Sequence, residues 1–133
     1  MLFRSVACNK SDEIIEIDRQ SWTLARRMKT GRGVYNLAVT PDSALLVATL
    51  KPGSSVEIFD IATGKSLAQI KTSNTLAHGV TISSDSKYAF VSSEGVGAAP
   101  GKVDVIDLIA RAKVGTVDVG QQASGIAFWK MSP

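Results

Sequence analysis

Three stretches of this 133-residue chain repeat one another in register, and that self-similarity limits the fold more than any other feature. In each, an apolar-alternating run ends in Asp: Ile14-Ile15-Glu16-Ile17-Asp18, Val56-Glu57-Ile58-Phe59-Asp60 and Val103-Asp104-Val105-Ile106-Asp107. The three aspartates are spaced 42 and 47 residues apart. Ten residues after each stands an apolar side chain (Met28, Ile70, Val117), and thirteen after it a small residue (Gly31, Ser73, Gly120). A further matching set follows: Leu37-Ala38-Val39, Val80-Thr81-Ile82 and Ile126-Ala127-Phe128. Two of these run into turns, Thr40-Pro41-Asp42-Ser43 and Ser83-Ser84-Asp85-Ser86, and then into Leu45-Leu46-Val47-Ala48 and Tyr88-Ala89-Phe90-Val91. Val6-Ala7-Cys8 is the counterpart of these last strands in the first copy.

Each copy reads as four short strands. The period of two and the Val and Ile content favour strand over helix, and no amphipathic helix stands out. Pro41-Asp42, Pro52-Gly53 and Ala62-Thr63-Gly64-Lys65 supply turn chemistry at the joints. Twelve evenly spaced strands with a repeat of forty-odd residues match the blade of a β-propeller better than a sandwich. The expected class is all-β: three four-stranded antiparallel blades in one segment spanning 1–133, with repeats at about 6–46, 47–89 and 90–133.

The run from Gly79 through Asp85 to Ser93, the run Val56 to Gly64 and the closing Gly125-Ile126-Ala127-Phe128 resemble the YVTN-type β-propeller repeat. The resemblance covers nearly the whole chain. It is more distant to WD repeats, since Ile17, Phe59 and Ile106 stand where Trp would precede each Asp. Such propellers usually have seven blades. They occur in surface-layer proteins, in exported bacterial proteins and, as relatives, in lactonases and nitrite reductases. The resemblance therefore implies a periplasmic or secreted protein. It also implies an inner-to-outer strand order in which the Gly-Val-Thr-Ile strand lines the axis.

In that order the chain starts on the second strand of a blade, and Ser124 to Met131 form an unmatched inner strand. Two completions are expected. The chain is the C-terminal part of a longer propeller, or two copies join head to tail as a six-bladed homodimer, each lending its last strand.

Composition removes several classes. With 44% hydrophobic and 20% charged residues the chain is ordinary for a globular domain, and no apolar run is long enough to span a membrane as a helix. The first eight residues lack the apolar core of a signal peptide. The lone Cys8 has no internal disulfide partner and reads as a small core residue on a strand. The net charge of +3, with Arg26, Arg27, Lys29 and Arg32 clustered beside Trp22 alone, is too little for nucleic acid and reads as a solvated strand face. Trp22 and Trp129 are expected to pack at the rim or in the core.

No catalytic or metal motif stands out, and no cofactor is expected. By the resemblance, the loops entering the inner strands surround one mouth of the channel, together with the loops between second and third strands. Candidate ligand-binding residues there are Tyr35, Asn36, Lys51, His78, Glu94 and Ser124. His78 is the single histidine; without a second ligand at metal spacing it reads as a loop-holding polar group. Asp18, Asp60 and Asp107 are expected to bind turn amides, and Glu94 to Gly101 to form a flexible loop that folds over a ligand. Ser92 and Ser93 lack a nucleophile elbow. The function expected is a non-enzymatic binding or scaffold module with an unknown protein or small-molecule partner. The alternatives are a fragment of an exported lactonase-like or nitrite-reductase-like enzyme with His78 at its mouth, and a purely structural surface-layer repeat.

Overall fold

The alternating pattern makes strands whose two faces both need cover, and the chain meets that need by stacking sheets. The computed structural model describes residues 3–132. The first sheet holds β1 (Phe3–Cys8), β2 (Glu13–Asp18) and β3 (Leu24–Lys29). The second holds β4 (Val34–Val39), β5 (Leu45–Leu50), β6 (Ser55–Asp60) and β7 (Ser66–Lys71). The third holds β8 (Leu76–Ile82), β9 (Tyr88–Glu94), β10 (Gly101–Asp107) and β11 (Ala112–Val119). Each is an antiparallel meander in which neighbours in sequence are neighbours in space.

The pairing register repeats from sheet to sheet. Val6 faces Ile15, Ala48 faces Glu57 and Val91 faces Asp104. The described residues contain eleven strands rather than the expected twelve. The twelfth, Ser124 to Met131, runs without a ladder because no second strand lies beside it. It is nevertheless tied to the third sheet: the Ser92 hydroxyl donates to the Ser124 carbonyl, the Phe128 amide donates to Thr81 Oγ1 at 3.1 Å, and Phe128 stacks on Phe90 at 6.4 Å.

The core lies between sheets. One cluster joins Ile14 and Met28 of the first sheet to Val34, Leu46, Ala48, Leu50 and Phe59 of the second. Another joins Val47, Val56 and Ile58 of the second to Val80, Ile82, Ala89, Val91 and Ile106 of the third. Strand alternation thus sends successive residues of β5 to opposite neighbours. Each fully buried Leu, Ile or Phe here contributes on the order of 1.5–3 kcal/mol.

Two polar clasps cross each joint. Thr49 Oγ1 accepts from the Asn36 amide at 3.0 Å and donates to the His78 carbonyl of the next sheet at 2.8 Å. Ser92 repeats this one sheet on, accepting from the Gly79 amide at 3.0 Å and donating to Ser124. A side chain at Gly79 would run into the Ser124 carbonyl and Ser92 Oγ, so this crossing requires glycine. The second clasp runs backward: Glu57 accepts the Gly31 amide at 2.8 Å, and buried Asp104 accepts the Ser73 amide at 2.7 Å. In the first sheet Ala7 stands where Thr49 and Ser92 stand, and Asn9 Nδ2 reaches the Val34 carbonyl instead at 3.3 Å.

The turns follow their chemistry. Asp18, Asp60 and Asp107 take turn amides, from Gln20 and Ser21, Thr63, and Ile109 and Ala110, at 2.7–2.8 Å. In the other turns Thr40 donates to Asp42 at 2.6 Å and Ser83 to Asp85 at 2.5 Å, while Ser43 and Ser86 hold φ of 61° and 62°. Of the four clustered basic residues, Arg27, Lys29 and Arg32 are exposed as expected, and Arg26 alone is partly covered. Half-buried Arg26 grips buried Glu16 in a fork at 2.9 and 3.0 Å, and Arg27 pairs with Glu13 at 2.7 Å. Trp22 and Trp129 are 71% and 87% exposed, so neither packs as expected; Trp22 sits at φ 56° in a turn that points its ring outward. Cys8, on β1, is only half-buried because one side of its sheet is uncovered.

Thr49→Val keeps shape while orphaning the Asn36 amide and the His78 carbonyl. It is expected to cost about 1–3 kcal/mol, read as a lower urea midpoint at unchanged slope. Four turn carboxylates carry an acid signature. Asp18 is held below its ordinary value of 3.8 chiefly by the Ser21 amide, Asp42 by the Thr40 hydroxyl, Asp60 by the Thr63 hydroxyl and Asp85 by the Ser83 hydroxyl. Depressed carboxylates stabilise the folded state fully above about pH 3.8 and lose that contribution as pH falls through their lowered values. The urea midpoint should therefore drop on acidification below about pH 4, and a midpoint that stayed level to about pH 2.5 would contradict this.

Candidate functional site

An irregularity in the inner strands aims the candidate residues. Between Val34 and Leu37, and again between Ala77 and Val80, the pairing register slips. The bulged residues are Tyr35-Asn36 and His78-Gly79. A bulge redirects side chains and leaves an amide outside the ladder, and the Thr49 and Ser92 hydroxyls take up that amide. The same hydroxyls that join the sheets therefore present Tyr35 and His78 near the starts of the inner strands, at the joint between the second and third sheets.

Lys51, just after β5, and Glu94, at the end of β9, close in from the other loops. Lys51 Nζ lies 2.8 Å from Glu94 Oε1 and 4.9 Å from the centroid of the Tyr35 ring. His78 Nε2 lies 3.5 Å from the same Glu94 oxygen, and its ring meets Tyr35 edge-on at 4.7 Å. Four of the six candidates, from two adjacent sheets, thus form one contact group. Glu94 is its hub, shared by a lysine and an imidazole. Lys51, His78 and Glu94 are mostly covered, whereas Tyr35 is 43% exposed and forms the accessible face. The His78 Nδ1 atom is buried and has no hydrogen-bond partner among the described residues.

The other two candidates stand apart. Asn36 turns its Oδ1 onto the Leu37 amide at 3.0 Å, a local bond. Ser124 enters through its carbonyl, which receives Ser92. The glycine-rich loop is held at two points and at its base. Asn74 holds the Pro100 carbonyl and Gln121 the Ala98 carbonyl, each at 3.1 Å, and Gly95 is buried against Ala99 and Pro100. Among the described residues no cluster of three His, Cys, Asp or Glu is arranged to hold a metal ion.

Three hollows lie elsewhere, all along the joint between the first two sheets. A mainly apolar one of about 400 Å³ is lined by Phe3, Glu16, Ala25, Arg26, Ile61 and Ala62. A second, of about 310 Å³, lies between β1 and β4. A polar one of about 230 Å³ on the side of the Tyr35 group is lined by Lys10, Asp12 and Arg32 among others. Arg32, read in the sequence only as part of a basic strand face, reaches this end because the adjoining Gly33 amide is bound by Asp12 at 2.6 Å. That bond links residues 21 apart and leaves no local pattern.

No protein-family model and no curated protein sequence matches the chain. Solved structures do. The chain superposes on hydrazine synthase of Kuenenia stuttgartiensis with a TM-score of 0.82 at 24% identity, over 90% of this chain and 34% of that one. It matches a functionally unknown protein from Desulfotomaculum acetoxidans with a TM-score of 0.82 at 15% identity, over 94% and 39%. It matches U3-55K with a TM-score of 0.79 at 14% identity, over 95% and 38%. The fold is a β-propeller. Each sheet is a blade, β4 and β8, which pack on one another across the joint, are inner strands, and the chain spans little more than a third of the length of these structures.

The Lys51–Glu94 pair, though partly covered, is not expected to carry the fold. Lys51→Met should change stability by about 1 kcal/mol or less, well below the effect at Thr49, when the two urea midpoints are compared.

Proposed function

We propose that this propeller segment is a non-enzymatic binding module, built of YVTN-type blades, that offers the Tyr35–Lys51–His78–Glu94 group to a ligand or protein partner. The observation that carries this reading is the convergence of four polar and aromatic side chains from two blades at the ends of bulged strands. Their charges are mutually balanced, which suits a polar ligand that exchanges hydrogen bonds with the group and stacks on the exposed Tyr35 ring. Catalysis by His78 has less support. A catalytic imidazole is commonly oriented through its second ring nitrogen, and no side chain or backbone group among the described residues bonds His78 Nδ1.

A screen of polar small molecules and short peptides by ligand-observed NMR tests the proposal. Binders are expected, with at least a tenfold loss of affinity in Tyr35→Ala, equivalent to about 1.4 kcal/mol. His78→Ala should weaken the same binders. Hits indifferent to both substitutions would move the binding surface away from this group.

A further inference from the structure

The 310 Å³ hollow between β1 and β4 has the place and chemistry of an absent strand. In the second and third blades the inner strand, β4 or β8, pairs along β5 or β9 and packs on the inner strand of the adjoining blade. In the first blade β1 has only β2 as a ladder partner among the described residues, so its other edge is open. The hollow runs along that edge, lined by Phe3, Arg4 and Ser5 on one side and Leu37, Val39 and Ser43 on the other. Val39 is exposed there, although its equivalent Ile82 is only 8% exposed.

A segment of matching shape stands at the opposite end of the stack. Residues 124–131 already occupy the inner-strand position behind the third blade, held by Ser92, Thr81 and Phe90, yet have no ladder of their own. The third blade also exposes Val117, at 58%, where its equivalent Met28 is 4% exposed beneath a following blade. At the other end Val6 is 40% exposed, whereas its equivalents Ala48 and Val91 are fully buried against a preceding blade. One docking event would cover both faces.

We infer that the open edge of β1 receives residues 124–131 of a second copy of this chain, and that the reciprocal exchange closes two copies head to tail into a six-bladed ring. The contact continues the two blade–blade joints already present, and six blades lie within the usual range of about four to eight. Strand addition to an open edge is the mode of attachment. The joint lacks the carboxylate clasp, since Ile15 stands where Glu57 and Asp104 stand, so the exchanged strand is its main polar bond.

The register follows from the complete blades. Leu37 faces Ala48 and Val80 faces Val91, which sets Ile126 against Val6 of the other copy. Val34 faces Leu50 and Ala77 faces Ser93, which sets Ala123 against Cys8. Directly opposed residues in an antiparallel pair have Cα atoms about 4.5–5.5 Å apart, within the span of a disulfide.

The test uses the unmodified chain and Ala123→Cys, which retains the native Cys8. Light scattering of the unmodified chain at micromolar concentration is expected to give twice the 14.1 kDa chain mass. Under mild oxidation Ala123→Cys is expected to run as a covalent dimer on a non-reducing gel, while the unmodified chain does not. A monomeric mass overturns the inference and leaves the β1 edge to a further blade of a longer chain. A dimeric mass in which Ala123→Cys forms no disulfide with Cys8 of the other copy overturns it equally, because the strands then do not meet in this register. Neither readout depends on the Tyr35 group.

Discussion

Everything in this molecule depends on one sheet burying its face against the next. A strand such as β5 sends Val47 one way and Leu46 and Ala48 the other, and all three are fully buried. A single blade has no interior in which to hide them. Apolar area removed from water at each joint is therefore the main favourable contribution, as in other repeat architectures where neighbours supply the core.

Apolar packing alone would let blades slide, and the polar clasps limit that freedom. The Thr49 and Ser92 hydroxyls each sit between an amide of their own inner strand and a carbonyl of the next. Glu57 and Asp104 bind the incoming linkers from behind. Because these groups are buried, leaving any of them unpaired is costly, so they fix one relative position of neighbouring blades. The bulges that free the clasped amides also turn Tyr35 and His78 toward one another at the joint between the second and third sheets. Assembly and the candidate site thus share the same few residues.

Much of the blade was legible in the sequence because its determinants are local and recur. The apolar-alternating runs that end in Asp, the Asp-bearing turns and the inner-strand sets led by Leu37, Val80 and Ile126 recur at matching offsets, and all became the elements expected except the last, which runs without a ladder. The convergence of Lys51, His78, Glu94 and Tyr35 was legible only as equivalent loop positions; the shared Glu94 oxygen depends on how far two loops reach across a joint. The clasps were harder to see. Thr49 and Ser92 occupy the same place in their repeats, but nothing local separates a bridging hydroxyl from an ordinary strand residue. Trp22 and Trp129 were misjudged because aromatic side chains usually find cover, and here the turn and the unpaired terminal segment hold them outward. The holds of Asn74 and Gln121 on the Glu94–Gly101 loop were not legible, because they join residues more than twenty positions apart.

Amide hydrogen exchange at four positions tests the clasps most directly. The amides of Asn36 and Gly79 lie in bulges and those of Gly31 and Ser73 in linkers, places where exchange is ordinarily fast. If side chains of the same and adjoining blades hold them, all four should be protected to a degree comparable with the ladder amides of β5 and β6. Exchange at the rate of free loop amides at these four positions, with β5 and β6 still protected, would contradict the account.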